Sequence, residues 1–304
     1  MRNCFVKCGL MNLFLTFGPL VDSILKLFNL KAIRQIHGKK LWYPKIVIRS
    51  NFMKEIQELF LQLRPYSNGH PLIRIGEDGD GGYLVPNDLS GIDGCFSAGS
   101  DKIMHFEKHL AFEYGIKSYI LDKIEKKPKD LTDLQEFRDG WLGTENNDET
   151  VTLESWLSEV TLDNSNELLL QMDIEGAEYQ TLMCTPSNVL EKFRIIVIEF
   201  HSLNNFIDYN GFQNLYKPVF YKLLEGFDVV HFHANNCCGD WQVLDFEIPR
   251  VVEVTFHRKD RRLQPLQPTV TPNLLDQKNV AEKPDIQINW EEIVRKSENK
   301  ALKS

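Results

Sequence analysis

The run Leu168-Leu169-Leu170-Gln171-Met172-Asp173-Ile174-Glu175-Gly176-Ala177-Glu178 restricts the folds open to this chain more than any other stretch. Consecutive leucines of this length suit a strand covered on both faces, the habit of parallel sheets clothed by helices. Two carboxylates and a glycine follow, where the chain must turn, and Ala177 to Met183 has the composition of a helix. Strand, acidic turn and helix form one unit of an open α/β sheet, whose ligands lie outside the carboxyl ends of the strands. Asp173 and Glu175 fall at such an end, and alternation along extended chain lets both side chains point the same way. Carboxylates also suit a helix start, where they meet free N–H groups and the positive end of the dipole. The motif alone is therefore compatible with a cap and with a site.

The flanking chain supplies more units of the same kind. Asn51 to Leu63 is apolar at helical spacing and ends before Pro65. Gly76 to Gly82 holds four glycines among acidic residues, with strand-like flanks at Ile73–Ile75 and Tyr83–Val85. No Gly-Lys-Ser/Thr follows, so this is not a phosphate loop, and a hairpin over the site is expected. Gly94 to Asp101 reads as a strand and a small-residue turn, followed by a helix over 103–114 that Gly115 ends. Lys117 to Leu121 is a second strand, closed by Asp122. A glycine turn after one strand and an acidic residue ending the next is the pattern of nucleoside binding, the carboxylate taking the ribose hydroxyls. Only Gly99 stands where a dinucleotide fingerprint would have three glycines, which argues against a nicotinamide oxidoreductase.

Phe137 to Leu142 is expected as a third strand, and Thr152 as the cap of the next helix. Arg194 to Phe200 is the clearest buried strand and is followed by His201, Gly211 to Leu224 is helical, and Phe227–His233 and Val251–His257 are β-rich. The sum is α/β: a Rossmann-like sheet, mostly parallel with a reversed last strand, plus N-terminal helices. We expect a helical extension over 1–66, the sheet domain over 67–260 and a polar tail over 261–304, with a short helix at Trp290–Val294.

Charge narrows the partners. The chain has 43 acidic and 35 basic residues, a net charge of −8, which argues against a nucleic-acid binder. Its six cysteines show no zinc-site spacing and fit a reducing, cytoplasmic setting. Leu10 to Phe28 carries apolar residues at helical spacing, interrupted by Asn12, Thr16 and Gly18-Pro19. Residues 10–36 are expected as amphipathic helices that pack on the domain, with a signal or peripheral membrane contact as the alternative.

Several segments together resemble the FkbM family of S-adenosylmethionine-dependent methyltransferases. They are Asp80-Gly81-Gly82-Tyr83, Phe96-Ser97-Ala98-Gly99-Ser100-Asp101 with Phe106-Glu107, Thr152-Leu153, Met172 to Glu178, Ile198-Glu199-Phe200-His201, His231 to Asn236, and Glu253-Val254-Thr255-Phe256. The resemblance implies a methyltransferase sheet whose last two strands form a reversed pair. It implies that Ala98, Gly99 and Ser100, with Asp101 beside them, meet the methionine part of S-adenosylmethionine. Asp122 would hold the ribose, and Trp141, Leu142 and Gly143 would border the adenine. Asp173 and Glu175 would face the transferred methyl and the acceptor, a hydroxyl on a glycan or glycosylated small molecule. A hydroxyl is a poor acid, and Asp173 or His201 is the candidate base. No metal is called for, although His231 and His233 alternate on one strand face and could pair with Asp173 or Glu199 around one. Glu199 could also support the site from behind, and Asn235 and Asn236 could be turn residues only. The rival class is a non-catalytic module that keeps the fold and binds a glycan or protein partner.

Overall fold

The computed structural model describes residues 30–33, 46–100, 104–123, 128, 130–160, 165–243 and 246–294. In chain order, β1 (Leu30–Ile33), β2 (Ile46–Arg49) and α1 (Ser50–Gln62) precede β3 (Tyr66–Ser67), β4 (Leu72–Ile75), β5 (Tyr83–Pro86) and β6 (Gly94–Ala98). Next come α2 (His105–Tyr114), β7 (Ser118–Asp122), β8 (Gln135–Asp139), β9 (Trp141–Leu142), β10 (Thr150–Val151) and α3 (Leu153–Glu159). Then follow β11 (Leu168–Met172), α4 (Glu178–Cys184), α5 (Ser187–Leu190) and β12 (Phe193–Phe200). A helical run at Tyr209–Gly211 passes through a π-helical turn, Phe212–Tyr216, into α6 (Lys217–Gly226). β13 (Phe227–Ala234), β14 (Asp240–Val243), β15 (Phe246–Pro249), β16 (Val252–Arg258) and β17 (Gln267–Pro268) complete the series.

The chain divides into two compact units. One gathers the segment through Leu61, Asp240–Ile248 and Asn289 onward. There β1 pairs antiparallel with β2, and α1 buries Phe52, Met53, Ile56, Leu59 and Phe60 along one stripe. Residues 30–33 are thus extended where amphipathic periodicity suggested helix; the rest of that expectation, residues 10–29 and 34–36, lies outside the described residues. Trp290 and Ile293 are buried in the short helix expected at 290–294.

The other unit, Gln62–Gly239 with Pro249–Ile288, holds a seven-stranded sheet in the order β13-β16-β12-β11-β6-β7-β8. Strands β12, β11, β6, β7 and β8 run parallel. β16 is antiparallel to both its neighbours, inserted between β12 and β13. The reversed last strand of the sheet is therefore internal to it. All eight residues of β12 and all five of β11 are buried, as their apolar runs require for strands between two layers.

Alternation sorts the side chains into two cores. Cys95, Leu169, Ile195 and Val197 face the β4–β5 hairpin and α2, against Ile75, Tyr83, Val85, Phe106 and Leu110. On the other face Phe96 meets Trp156 of α3, while Phe200 meets Tyr179 of α4 and Phe220 of α6, at ring separations of 4.7 to 5.3 Å. Truncating any one of these fully buried rings would cost about 3–5 kcal/mol. The same alternation puts every odd-numbered residue at the ends of β6, β11 and β12 on the hairpin side.

Candidate active site

The carboxyl ends of the parallel strands come out level. Leu121, Ala98, Met172 and Ile198 pair in register across β7, β6, β11 and β12. One residue further lie Asp122, Gly99, Asp173 and Glu199. Asp139 pairs with Asp122 on one flank, and Glu199, Glu253 and His233 pair in turn on the other. A single row of Asp139, Asp122, Gly99, Asp173, Glu199, Glu253 and His233 thus crosses all seven strands. The ladder is kept to its last rung, Gly99 N–H donating to Leu121 O at 3.0 Å and Asp173 N–H to Ala98 O at 2.8 Å.

Gly99 is glycine for a reason of packing. Its φ is +72°, and a Cβ there would lie 1.6 Å from the carbonyl oxygen of Asp173. The glycine lets the ends of β6 and β11 approach, so its first role is clearance between two strands. Beyond it, Glu175 takes φ +56° and Ser202 φ +59°, left-handed values that non-glycine residues adopt at a cost. Both lie in the turns that follow β11 and β12.

His201 stands at the centre of the carboxylates. Its Nε2 is 3.7 Å from Asp173 Oδ1, 3.6 Å from Glu199 Oε1 and 3.5 Å from Glu175 Oε2. Its Nδ1 is 3.0 Å from Glu178 Oε1, which also accepts from the N–H groups of Ile174 and Gly176. Glu178, fully buried, is therefore the group that caps the turn, while Asp173 does not. Of the two roles the motif allows, the cap therefore falls to Glu178. Asn235 Nδ2 donates to Glu199 Oε1 at 3.0 Å, so Asn235 is more than a turn residue. Asp173 Oδ1 and Glu199 Oε2 are buried with no hydrogen-bond partner. Among the described residues no lysine or arginine pairs with Asp173, Glu175, Glu199 or Glu253.

The electrostatics follow from this crowding. Burial pushes the Asp173 carboxyl up; His201 pulls it back, and Glu175, Glu178 and Asp80 push it up again. Burial and then the charges of Asp173, Glu253 and Asp80 drive Glu199 up, against its bond from Asn235. For His201 burial opposes the charged form, but Glu178, Asp173 and Glu175 outweigh it and raise the imidazole. The end of the sheet is thus a sink for positive charge.

The remaining residues expected to hold a cofactor lie along the same edge. Asp122 Oδ2 accepts from Ser100 N–H at 3.4 Å, and burial raises its carboxyl. Gly140 N–H donates to Asp122 O at 3.2 Å, which ties the start of β9 to the end of β7. Trp141 on β9 is 51 % exposed, an uncovered aromatic face beside Asp122, whereas Leu142 is buried. Ala98 is buried and Ser100 Oγ is buried without a partner; Asp101 lies outside the described residues.

Two expectations are corrected. His231 and His233 do not join Asp173 or Glu199: His231 Nε2 is 2.8 Å from Asp276 Oδ1, and His233 Nδ1 is 3.4 Å from Glu253 Oε2. Imidazoles in the sheet have found carboxylates from the following chain instead. The polar stretch after Arg258 is not a tail through residue 288. β17 pairs with β3, Asn236 Nδ2 donates to the carbonyls of Val280, Lys283 and Pro284, and Asn279 Nδ2 donates to Glu253 Oε1 at 2.6 Å and Asp80 Oδ1 at 3.2 Å. Sequence reasoning gave no role to Glu178, Glu253, Asp276 or Asn279. A carboxylate inside the apolar run Val251–Phe256 was the available signal for Glu253; Asn279 had none.

An open sheet of this strand order, with one inserted antiparallel strand and an acidic edge, defines a Rossmann-like α/β domain of the methyltransferase kind. Residues 107–227 match the family model described as the methyltransferase FkbM domain. The match runs from α2 to the start of β13 and takes in Asp122, Trp141, Asp173, Glu175, Glu199 and His201. No curated protein and no solved structure matches the chain. No helix among the described residues is long and apolar enough to cross a membrane.

Proposed function

We propose that the protein transfers a methyl group from S-adenosylmethionine to a hydroxyl, with a glycan or glycosylated small molecule as the acceptor class. The observation that carries this reading is the level row Asp122, Gly99, Asp173 and Glu199 at the carboxyl edge of the sheet. The donor set suits that cofactor. Asp122 offers a carboxylate to a ribose diol, and the exposed Trp141 offers a ring face to a purine. Asp173, with an unpartnered buried oxygen, offers negative charge to a sulfonium.

When bound, S-adenosylmethionine supplies an activated methyl group on a cationic sulfur. Transfer to oxygen removes charge, so the protein's part is to align the acceptor, exclude water and take a proton. Asp173 is the better base of the two candidates. Burial raises its carboxyl to about 7, where it can take a proton near neutrality, whereas at His201 Glu178, Asp173 and Glu175 outweigh burial and favour the charged imidazole. Glu175, with an 87 % exposed side chain 3.5 Å from His201, stands at the rim where an acceptor would enter.

Calorimetric titration with S-adenosylmethionine and its demethylated product tests the reading. The intact chain should bind both, and Asp122→Ala should bind about tenfold to a hundredfold more weakly with an unchanged circular dichroism spectrum. Absence of binding in the intact chain would reject the enzyme in favour of the non-catalytic module.

A further inference from the structure

We propose that Asp173, Glu199 and His201 form a binding site for a hard divalent cation, Mg²⁺ or Mn²⁺. One ligand atom from each lies within 4.8 Å of the other two. Two ligands bound at about 2.1 Å would be about 3.0 Å apart at right angles and about 4.2 Å apart across the ion. The separations of 3.6 and 3.7 Å from His201 Nε2 fall between those limits, and the third separation is within 4.8 Å. Two carboxylates and one imidazole, with no thiolate among the three, are a donor set for Mg²⁺ or Mn²⁺ rather than a soft metal.

Proximity of acidic groups is not enough, and other observations point to a ligand. The Glu199 side chain is only 6 % exposed, yet its Oε2 has no partner. Asp173 Oδ1, also unpartnered, is the atom that faces His201. The two carboxyls leave adjacent strand ends, β11 and β12 pairing as far as Met172 and Ile198, and Glu199 is too buried to turn to solvent. His201 is oriented for ligation as well. With its Nδ1 on Glu178 Oε1, Nε2 is the ring nitrogen that faces Asp173 and Glu199, and a bound ion would take the place of a proton there. Metal-binding histidines commonly have such a carboxylate behind them, fixing tautomer and ring angle. Asn235 fixes Glu199 Oε1 in the same way.

A cation here shares its site with the proposed methyl transfer and rests on that reading for its purpose: it would lower the pKa of an acceptor hydroxyl and position it. Ion binding itself needs no methyl donor, and this separates the two tests. The full chain, stripped with a chelator and free of donor, is titrated with MnCl₂ while the electron paramagnetic resonance of free Mn²⁺ is followed, and Mg²⁺ is then added as competitor. One Mn²⁺ per chain should bind and Mg²⁺ should displace it. Glu199→Gln and His201→Gln should each weaken binding about tenfold or more, with the fold retained by circular dichroism. Asp139→Asn, at the far end of the same row, should leave it unchanged. No Mn²⁺ binding at millimolar ion, or equal binding in all three variants, overturns the proposal. S-adenosylmethionine titrated into the same protein in excess chelator reports separately on the donor site. Donor binding without Mn²⁺ binding sinks the cation site alone, and Mn²⁺ binding without donor binding sinks the methyl-transfer reading alone.

Discussion

Asp88 with His70 and His257, and Asp173 with Glu199 and His201, each bring three metal-ligating side chains within 4.8 Å, but they are surrounded differently. Arg261 donates to Asp88 through Nε at 2.8 Å and Nη2 at 2.9 Å, and His257 Nε2 lies 3.2 Å away. Arg194, itself buried, donates to the carbonyls of Asp88, Ser90 and Gly91 and to Glu167. Burial would raise the Asp88 carboxyl; Arg261, Arg194 and His257 together hold it below its ordinary value. In the other cluster the carboxyls are driven up instead, because no guanidinium or ammonium has been provided. The first cluster is complete as it stands, a clasp between β16, β12 and the loop after β5. The second is left short of positive charge, which is what a site for a cationic or metal-bound ligand requires. A histidine with carboxylates is therefore no signature by itself; the presence or absence of arginine decides.

The comparison predicts opposite responses to losing a charged group. Arg194→Met should have the largest effect, about 3–5 kcal/mol of lost stability by urea unfolding, since it leaves buried carboxylate and carbonyl groups unpaired. A loss under about 1 kcal/mol would mean that the clasp is as dispensable as a surface pair.

Acid should open the clasp next. His257 is held neutral: burial, with help from His70 and Arg261, lowers it to about 4 in spite of the bond to Asp88. Its unfolded value is about 6.5, so the unfolded chain takes up the proton first. The contribution is whole above pH ~6.5 and is lost as pH falls toward about 4, up to about 3 kcal/mol. Asp88 adds its own loss only below its unfolded value of about 3.9, outside this window. Urea midpoints of the wild type and His257→Gln between those pH values should show a smaller slope in the variant. Parallel slopes would place the titrating group elsewhere.

How much of this was legible in the sequence depended on whether a residue's partner was close in the chain or imposed by register. β11 and β12 were legible because runs such as Leu168–Leu170 and Arg194–Phe200 leave no other way to be buried. The Gly76–Gly82 hairpin and the Thr152 cap were legible because local chemistry dictates them. Asp173 and His201 could be picked as site residues, since both end buried strands. That Glu178 rather than Asp173 caps the turn needed coordinates, because both positions suit a cap by composition. The insertion of β16 between β12 and β13 was hidden too: strand order is set by which edges pair, and two β-rich segments do not say so. Most obscure was the return of residues 267–288, whose polar, proline-containing sequence matches that of a linker. Its order comes from Asn236 and His231, whose hydrogen bonds it completes.

The smallest expected effect sharpens the contrast most. Glu199→Gln removes one of the two carboxyls that share His201 Nε2, and it keeps the amide oxygen that can accept from Asn235. In the chelator-treated protein stability should be unchanged or raised by up to about 1 kcal/mol, because burial, Asp173 and Glu253 push the Glu199 carboxyl up to about 10, and near pH 7 the amide replaces a group that is already neutral. Measured by the same urea unfolding as Arg194→Met, the two variants should therefore move the midpoint in different directions. A loss above about 1 kcal/mol in Glu199→Gln would show that Glu199 holds the fold together as Asp88 does. The acidic edge would then be a second clasp, and its missing arginine would need another explanation than a ligand.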